Sequence, residues 1–170
     1  VQMSPGYCGA ASAVALLNSL PDVALPVDAA FAPYPYATQE SVLNSSCVNE
    51  NVIYYNSQRD GIFSAPGGIS LVQVARLLQC YLPESSWDVV HREVDDGASV
   101  DDVRAELLQA LTDPSSRVMV NFDRAALDQQ GHGHMSPLAS YSTSQDAFLV
   151  MDVAKYKYPP VWVPTHRLVA

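Results

Sequence analysis

Cys8 is the residue of this sequence whose type and setting most favour covalent chemistry. It follows Pro5-Gly6-Tyr7 and opens the apolar run CGAASAVALLNSL, which ends before Pro21. A run that is hydrophobic on all sides predicts a buried helix. The N–H groups and the positive dipole end at the start of such a helix favour a thiolate, and the small Gly9 and Ala10 would leave room for a substrate. A buried cysteine that serves only as a small apolar side chain is the alternative.

A thiol nucleophile needs a base, and the base needs a group that orients it. His134 lies in GHGHMSP before a predicted strand, and Asp152 lies on the following predicted strand, 18 residues later. Two antiparallel strands joined by a short turn can bring residues with this spacing side by side. The carboxylate would then fix the imidazole tautomer and leave the other nitrogen for the thiol. The alternative is that both residues are structural: His134 as a hydrogen-bonded histidine of a glycine-rich loop, and Asp152 as a carboxylate paired with another group.

A third interpretation is a metal pair, because His132 and His134 form an HxH sequence. On a strand, residues i and i+2 point to one face, so both rings could bind zinc. Such a site needs further ligands, and the sequence offers only scattered candidates: Asp123, Asp128 and His91.

The elements that must position these residues follow from apolar spacing, capping residues and turn residues. Helices are predicted over Cys8–Leu20, from about Gln39, from a Ser70 cap through Tyr81, and from a Ser99–Asp102 capping pair to just before Pro114. Strands are predicted over Trp87–Val94, Arg117–Phe122, Met135–Ser142 and Ala147–Val153, and a loop over Gly61–Gly68. Because helices come first and strands last, the order is typical of an α+β domain.

Composition and net charge limit the kinds of molecule that this protein is expected to bind. The 170 residues fit a single domain, and the net charge of −9 disfavours nucleic acid as a partner. The longest apolar stretches fall far below the ~18 residues that a membrane span needs. The 3 cysteines include no CxxC pair, so a zinc ribbon is not indicated, and at least one thiol must stay outside any disulfide.

Several segments in order resemble phytochelatin synthase, in particular its short bacterial form. The resemblance is strongest between Val118 and Pro164, in VMVNFDR, GHMSPLASY and FLVMDVAKYKYPPVWVP. It continues in QMSPGYCGAASAVALLNSL, in Thr38-Gln39 and in GGISLVQVARLL.

The resemblance implies a papain-like cysteine peptidase fold, with a central buried helix that carries the nucleophile and a C-terminal antiparallel sheet. It also implies transfer of γ-Glu-Cys from glutathione to water or to a second glutathione. The family's catalytic residues fall on Cys8, His134 and Asp152, and an oxyanion-hole glutamine falls on Gln2. Substrate-binding positions fall on Asn121, Gly133, Met135 and Lys155.

This sequence also departs from the family pattern. Lys155 stands where the family usually has Arg, which keeps the charge but loses a two-pronged grip on a carboxylate. The Cys-rich C-terminal half of the plant enzymes is absent from these residues, and the resemblance implies that the sequence is shortened at both ends. The resemblance implies no fixed metal site, because Cd²⁺ or Zn²⁺ would enter as a metal–glutathione thiolate.

Three questions stay open at this point. The compartment is one, with bacterial cytoplasm and periplasm as the candidates, and assembly into a homodimer is another. The third is the function class, since a general papain-like peptidase on other peptides and a non-catalytic thiol- or metal-binding module are alternatives to a glutathione enzyme.

Overall fold

The computed structural model describes residues 1–3, 5–49, 52, 68–95 and 97–169. The predicted loop over Gly61–Gly68 lies, apart from Gly68, outside the described residues. The chain divides into two compact units, one over residues 1–91 and one over residues 92–170.

The first unit is helical. Its elements are α1 (Cys8–Asn18), α2 (Gln39–Leu43) and α3 (Leu71–Tyr81), with a short 3-10 turn at Ala29–Phe31 between the first two. Helix α1 buries residues on nearly every side, as its apolar sequence predicts. Thr38 and Ser70 cap α2 and α3, and each accepts a hydrogen bond from the backbone N–H three residues later.

Gly9 allows α1 and the start of α3 to approach closely. A Cβ atom built on Gly9 would lie 2.7 Å from Ile69 Cγ1 and 2.9 Å from Val74 Cγ2, closer than real carbon contacts. The space beside Gly9 is therefore filled by core side chains. The expectation that this glycine leaves room for a substrate is wrong.

Cys47 and Cys80 form a disulfide, with Cα atoms 5.8 Å apart, within the usual range for such bonds. The bond links the segment after α2 to the last turn of α3. Cys8 stays outside it and keeps its thiol, in agreement with the odd cysteine count.

The second unit packs helices against an antiparallel sheet. The strands β1 (Val118–Asp123), β2 (Gly133–Ser142), β3 (Ala147–Val150) and β4 (Val161–Pro164) pair in that order. Helix α4 (Val100–Thr112) precedes the sheet, a 3-10 turn (Arg124–Leu127) follows β1, and α5 (Thr165–Leu168) follows β4. The sheet's buried core consists of Phe122, Leu138, Phe148, Val150 and Val163.

Asp146 fastens the tight turn between β2 and β3. Its backbone is left-handed, with φ +45°, and both carboxylate oxygens accept hydrogen bonds from Arg104 of α4, at 2.7 and 2.8 Å. The Tyr141 and Thr165 hydroxyls also donate to this carboxylate. Hydrogen bonds from Arg104, Thr165 and Tyr141 keep the pKa of Asp146 below its usual range.

The α+β class and most predicted elements are confirmed, with three differences. Trp87–Val94 is not a strand: it pairs with no other described segment, and a single extended segment cannot satisfy its backbone by itself. Strand β3 ends at Val150 rather than Val153, so Asp152 lies just beyond it. Strand β4 and helix α5 were not predicted, because Pro159 and Pro160 precede the four residues of β4, Pro164 is the last of them, and α5 is a single turn.

No helix in the described part of the chain combines the length and apolar character needed to cross a bilayer. The longest of them, α4, has 13 residues.

Candidate active site

His134 and Asp152 form a buried hydrogen-bonded pair in the second unit. His134 lies second in β2 and Asp152 two residues beyond β3, and His134 Nε2 is 2.9 Å from Asp152 Oδ1. Both side chains are almost fully shielded from solvent. The hairpin spacing therefore brings the two residues together as the sequence predicts. Since Asp152 engages Nε2, proton transfer by His134 must use Nδ1.

Asp152 is held as a carboxylate by its donors. Burial alone raises the pKa of Asp152, but hydrogen bonds from His134, from Arg124 and from the Ala154 N–H outweigh burial and lower this pKa to about 2. The Ala154 N–H lies 2.8 Å from Oδ1. An ionised carboxylate in this position fixes the ring orientation and stabilises an imidazolium when one forms.

Arg124 is the member of this site that sequence reasoning missed. Its Nη2 donates to Asp152 Oδ1 at 3.1 Å, and its Nη1 makes an ion-pair contact with Oδ2 at 2.9 Å. The two side chains are only 5% and 1% exposed. The available signal was an arginine directly after the apolar strand VMVNFD, because a cation so close to a core strand needs a buried partner.

The imidazole of His134 also packs against Phe122 of β1. The two rings meet edge to face with centroids 5.6 Å apart, and the two residues are partners in the β1–β2 register. This contact places an aromatic wall beside the ring and restricts its rotation.

Cys8 and Gln2 lie in the first unit. Cys8 is the first residue of α1 and is half-buried, and Gln2 is buried. The side-chain amide of Gln39 bonds the backbone before and after Gln2: its Nε2 donates to Val1 O at 2.9 Å, and its Oε1 accepts from Met3 N at 3.1 Å. The side chain of Gln39 thus holds the backbone on both sides of Gln2, an arrangement that the sequence did not reveal.

Three of the four positions expected to bind substrate lie on β1 or β2, and Lys155 lies beyond β3. Asn121 pairs with Met135 across β1 and β2, whereas Phe122 pairs with His134. Because neighbouring residues of a strand point to opposite faces, Asn121 and Met135 share the face away from the His134 ring. Gly133 at the start of β2 and Lys155 after Asp152 are exposed. Substrate binding by these four positions stays a prediction.

The metal-pair interpretation gains no support from the described residues. His132 precedes β2 and is exposed, whereas His134 is buried, so the two rings do not line one face of a strand. No group of three or more His, Cys, Asp or Glu side chains in the described part of the chain is placed to hold a metal ion.

A histidine whose ring is oriented by a buried, ionised carboxylate is an arrangement that can act as a base with its orienting group. The family model described as phytochelatin synthase matches residues 1–170. The chain therefore belongs to the phytochelatin synthase family.

Curated relatives agree with this assignment at low identity. Glutathione gamma-glutamylcysteinyltransferase 3 of Lotus japonicus is 28% identical over 166 residues, which cover 96% of this chain and 30% of the relative. Glutathione gamma-glutamylcysteinyltransferase 1 of Arabidopsis thaliana is 28% identical over 168 residues, which cover 98% of this chain and 30% of the relative. The chain thus spans under a third of the length of these relatives.

Proposed function

We propose that this chain is a cysteine-nucleophile enzyme that transfers or hydrolyses the γ-Glu-Cys group of glutathione. The observation that carries the proposal is the buried His134–Asp152 hydrogen bond, in a chain of the phytochelatin synthase family. The relatives' name supplies the substrate and the transferred group.

In the proposed reaction the Cys8 thiolate attacks the carbonyl carbon of the Cys–Gly bond of glutathione. His134 gives a proton to the departing glycine amine, the C–N bond breaks, and a γ-Glu-Cys thioester with Cys8 remains. Water then releases γ-Glu-Cys, or the amine of a second glutathione gives (γ-Glu-Cys)₂-Gly. In either case His134 takes the proton of the incoming nucleophile, and the thiolate leaves.

The remaining residues have supporting roles in this proposal. Gln2 and the Cys8 N–H stabilise the oxyanion of the tetrahedral intermediate, a term worth about 3–4 kcal/mol per donor. Asp152 orients His134 and stays ionised at neutral pH. Cd²⁺ or Zn²⁺ takes part as a metal–glutathione thiolate, so the metal belongs to the substrate.

A papain-like fold is part of the same proposal. Two features support it: a cysteine at the start of a buried helix in the first unit, and an antiparallel sheet that carries a histidine–carboxylate pair in the second. Because Asp152 engages Nε2, proton exchange with a thiol would use Nδ1 of His134.

Mass spectrometry of the products formed from glutathione, with and without Cd²⁺, tests the proposal. We expect γ-Glu-Cys and glycine, together with (γ-Glu-Cys)₂-Gly if a second glutathione competes with water. Acid-quenched protein should carry the added mass of one γ-Glu-Cys group, and Cys8→Ala should abolish both results. Intact glutathione after prolonged incubation would contradict the proposal.

A matched peptide separates this function from general peptidase activity. Glu-Cys-Gly with an ordinary α-linkage has the same composition as glutathione but a different backbone, so a glutathione enzyme should leave it intact. Equal cleavage of both peptides would instead favour a general cysteine peptidase.

A further inference from the structure

The guanidinium of Arg124 contacts both carboxylate oxygens of Asp152, the residue that bonds His134. From this geometry we infer that Arg124 is a positioning residue: it locks the plane of the Asp152 carboxylate, and through it the His134 ring, in the orientation that catalysis requires. The inference rests on the proposed function, because it assigns a role within the same site.

Arg124 contacts the Asp152 carboxylate at both of its oxygens. His134 Nε2 and the Ala154 N–H both bond Oδ1, so both hold the carboxylate through the same oxygen. Arg124 also reaches the second oxygen: its Nη2 donates to Oδ1 at 3.1 Å, and its Nη1 makes a charge contact, without a hydrogen bond, with Oδ2 at 2.9 Å. A turn of the carboxylate plane would lengthen the contact with Oδ2 as well as the bonds to Oδ1. A planar fork gives this geometric control, which a single ammonium group does not.

Arg124 is itself fixed from several sides. Its Nη1 donates to Gln129 Oε1, and its guanidinium carbon lies 4.8 Å from the centre of the Tyr158 ring. Its backbone N–H bonds His132 O at 3.3 Å, and its carbonyl accepts from Gln129 N at 3.0 Å. The arginine is therefore a rigid part of the turn that leads into β2.

Tyr158 connects the same arginine to the segment after Asp152. Its hydroxyl accepts a hydrogen bond from Gln130 N at 2.7 Å, and the Lys157 ammonium donates to Gln130 O. The loop before His134 and the segment after Asp152 are thus joined around one guanidinium. This arrangement can hold a histidine and a carboxylate from different strands in register.

The alternative is a purely structural ion pair, and the chain offers a matched control for it. Arg104 also grips a carboxylate with two nitrogens, 2.7 and 2.8 Å from the oxygens of Asp146, in the same unit. No described contact joins Arg104 to His134 or to Asp152. Loss of either arginine should lower the melting temperature, but only Arg124 should alter His134.

The test compares Arg124→Met, Arg124→Lys and Arg104→Met in the full chain. For Arg124→Met we expect kcat for glutathione to fall about 10–100-fold with KM within about twofold, because Arg124 orients the site rather than binds the substrate. Arg124→Lys keeps the charge but not the fork, so its kcat should stay about tenfold low. Arg104→Met should keep the wild-type kcat despite a lower melting temperature.

A second readout does not depend on activity. Two-bond ¹H–¹⁵N correlation spectra report which nitrogen of a neutral imidazole carries the proton. We expect the Nε2–H tautomer for His134 in the wild type and in Arg104→Met, and a mixture of tautomers in both Arg124 variants. If Arg124→Met does not fold, Arg124→Lys carries both readouts.

The outcomes separate this inference from the proposed function. Wild-type kcat in Arg124→Lys, or an unchanged His134 tautomer in the Arg124 variants, would overturn the positioning role. Failure of the wild-type protein to cleave glutathione would overturn the proposed function, while the tautomer measurement would still decide the role of Arg124.

Discussion

Arg124 and Asp152 form an ion pair whose side chains are 5% and 1% exposed, so removal of either charge leaves the other one buried. An ion pair of this kind contributes less to stability than its contacts suggest, because both groups lose hydration. Removal of one partner nevertheless lowers the free energy of unfolding by about 3–5 kcal/mol. Mutations at this site therefore combine an effect on catalysis with an effect on stability, and the two must be measured separately.

Asp152→Asn should lower both kcat and the melting temperature. The amide presents an NH₂ group where His134 and Arg124 require an acceptor, and it leaves the arginine charge uncompensated. In a serine-protease triad the same exchange costs about 10⁴-fold in kcat. Since a thiol is the stronger nucleophile, we expect a smaller loss here, on the order of 10²–10³-fold. Steady-state glutathione cleavage and thermal melting of one sample measure both effects.

The double variant Arg124→Met/Asp152→Asn separates the two effects. Because Met removes the stranded charge, the double variant should melt at a higher temperature than Asp152→Asn alone while its kcat stays low. Recovery of kcat in the double variant would mean that Asp152→Asn had acted only through misfolding. A further fall in melting temperature would contradict the ion-pair argument.

His134→Ala and His132→Ala should have very different effects. His134 is buried against Asp152 and Phe122, whereas His132 is exposed and precedes β2. Loss of the base should stall formation of the γ-Glu-Cys thioester, by about 10²–10⁴-fold for general acid–base catalysis. His132→Ala should keep most of the activity. Single-turnover release of glycine from glutathione measures this step, and the reverse ranking would remove His134 from the mechanism.

Cys8 should be the thiol that iodoacetamide labels without prior reduction. It keeps its thiol at the start of α1, while Cys47 and Cys80 are joined in a disulfide. Alkylation at neutral pH followed by peptide mapping should therefore find the label on Cys8, with Cys47 and Cys80 labelled after a reductant is added. Labelling of Cys47 at the same rate as Cys8 before reduction would contradict both assignments.

The sequence was most informative where local patterns decide the structure. The polar turn and the alternating strands around it fix the β2–β3 hairpin, and the hairpin brings His134 to Asp152. The caps at Ser70 and Ser99 are likewise local, and both are formed.

Contacts between segments that are far apart in the sequence could not be predicted in this way. Arg124 reaches Asp152 across 28 positions of sequence, and Cys47 reaches Cys80 across 33. No periodicity relates such pairs, because their distance depends on how whole elements pack. Trp87–Val94 shows the opposite error: its sequence is typical of a strand, but no strand in the described part of the chain pairs with it.

The free energy of unfolding should fall as the pH drops from about 4 to about 2. The pKa of Asp152 is lowered to about 2 in the folded chain, while an unfolded aspartate titrates near its usual value of about 3.9. A lowered folded-state pKa gives stability that is present above the unfolded pKa and is lost on acidification, here on the order of 2 kcal/mol. Asp146, whose pKa is also lowered, adds to the same loss.

Urea unfolding at a series of pH values measures this dependence. Arg124→Met/Asp152→Asn lacks the Asp152 contribution but keeps Asp146, so its stability should fall less steeply than that of the wild type. Parallel curves for the two proteins would show that Asp152 is not held ionised by the fold.

Gln39→Ala should reduce kcat through Gln2. The Gln39 amide bonds Val1 O and Met3 N, so its loss frees the backbone on both sides of the proposed oxyanion donor. Removal of such a donor costs about 10²–10³-fold in kcat, and a loosened donor should cost less, on the order of tenfold. Gln73→Ala is the matched control, because this glutamine is equally buried, at 8% exposed, and its side chain accepts a hydrogen bond from Ser70 N at the start of α3.

A double-mutant cycle decides whether Gln39 acts through Gln2. If it does, Gln39→Ala should lower kcat in the wild-type background but have little further effect once Gln2→Ala has removed the donor. Gln73→Ala should lower the melting temperature in both backgrounds and leave kcat unchanged in each. Equal losses from Gln39→Ala with and without Gln2 would mean that Gln39 supports the fold of the first unit rather than the oxyanion donor.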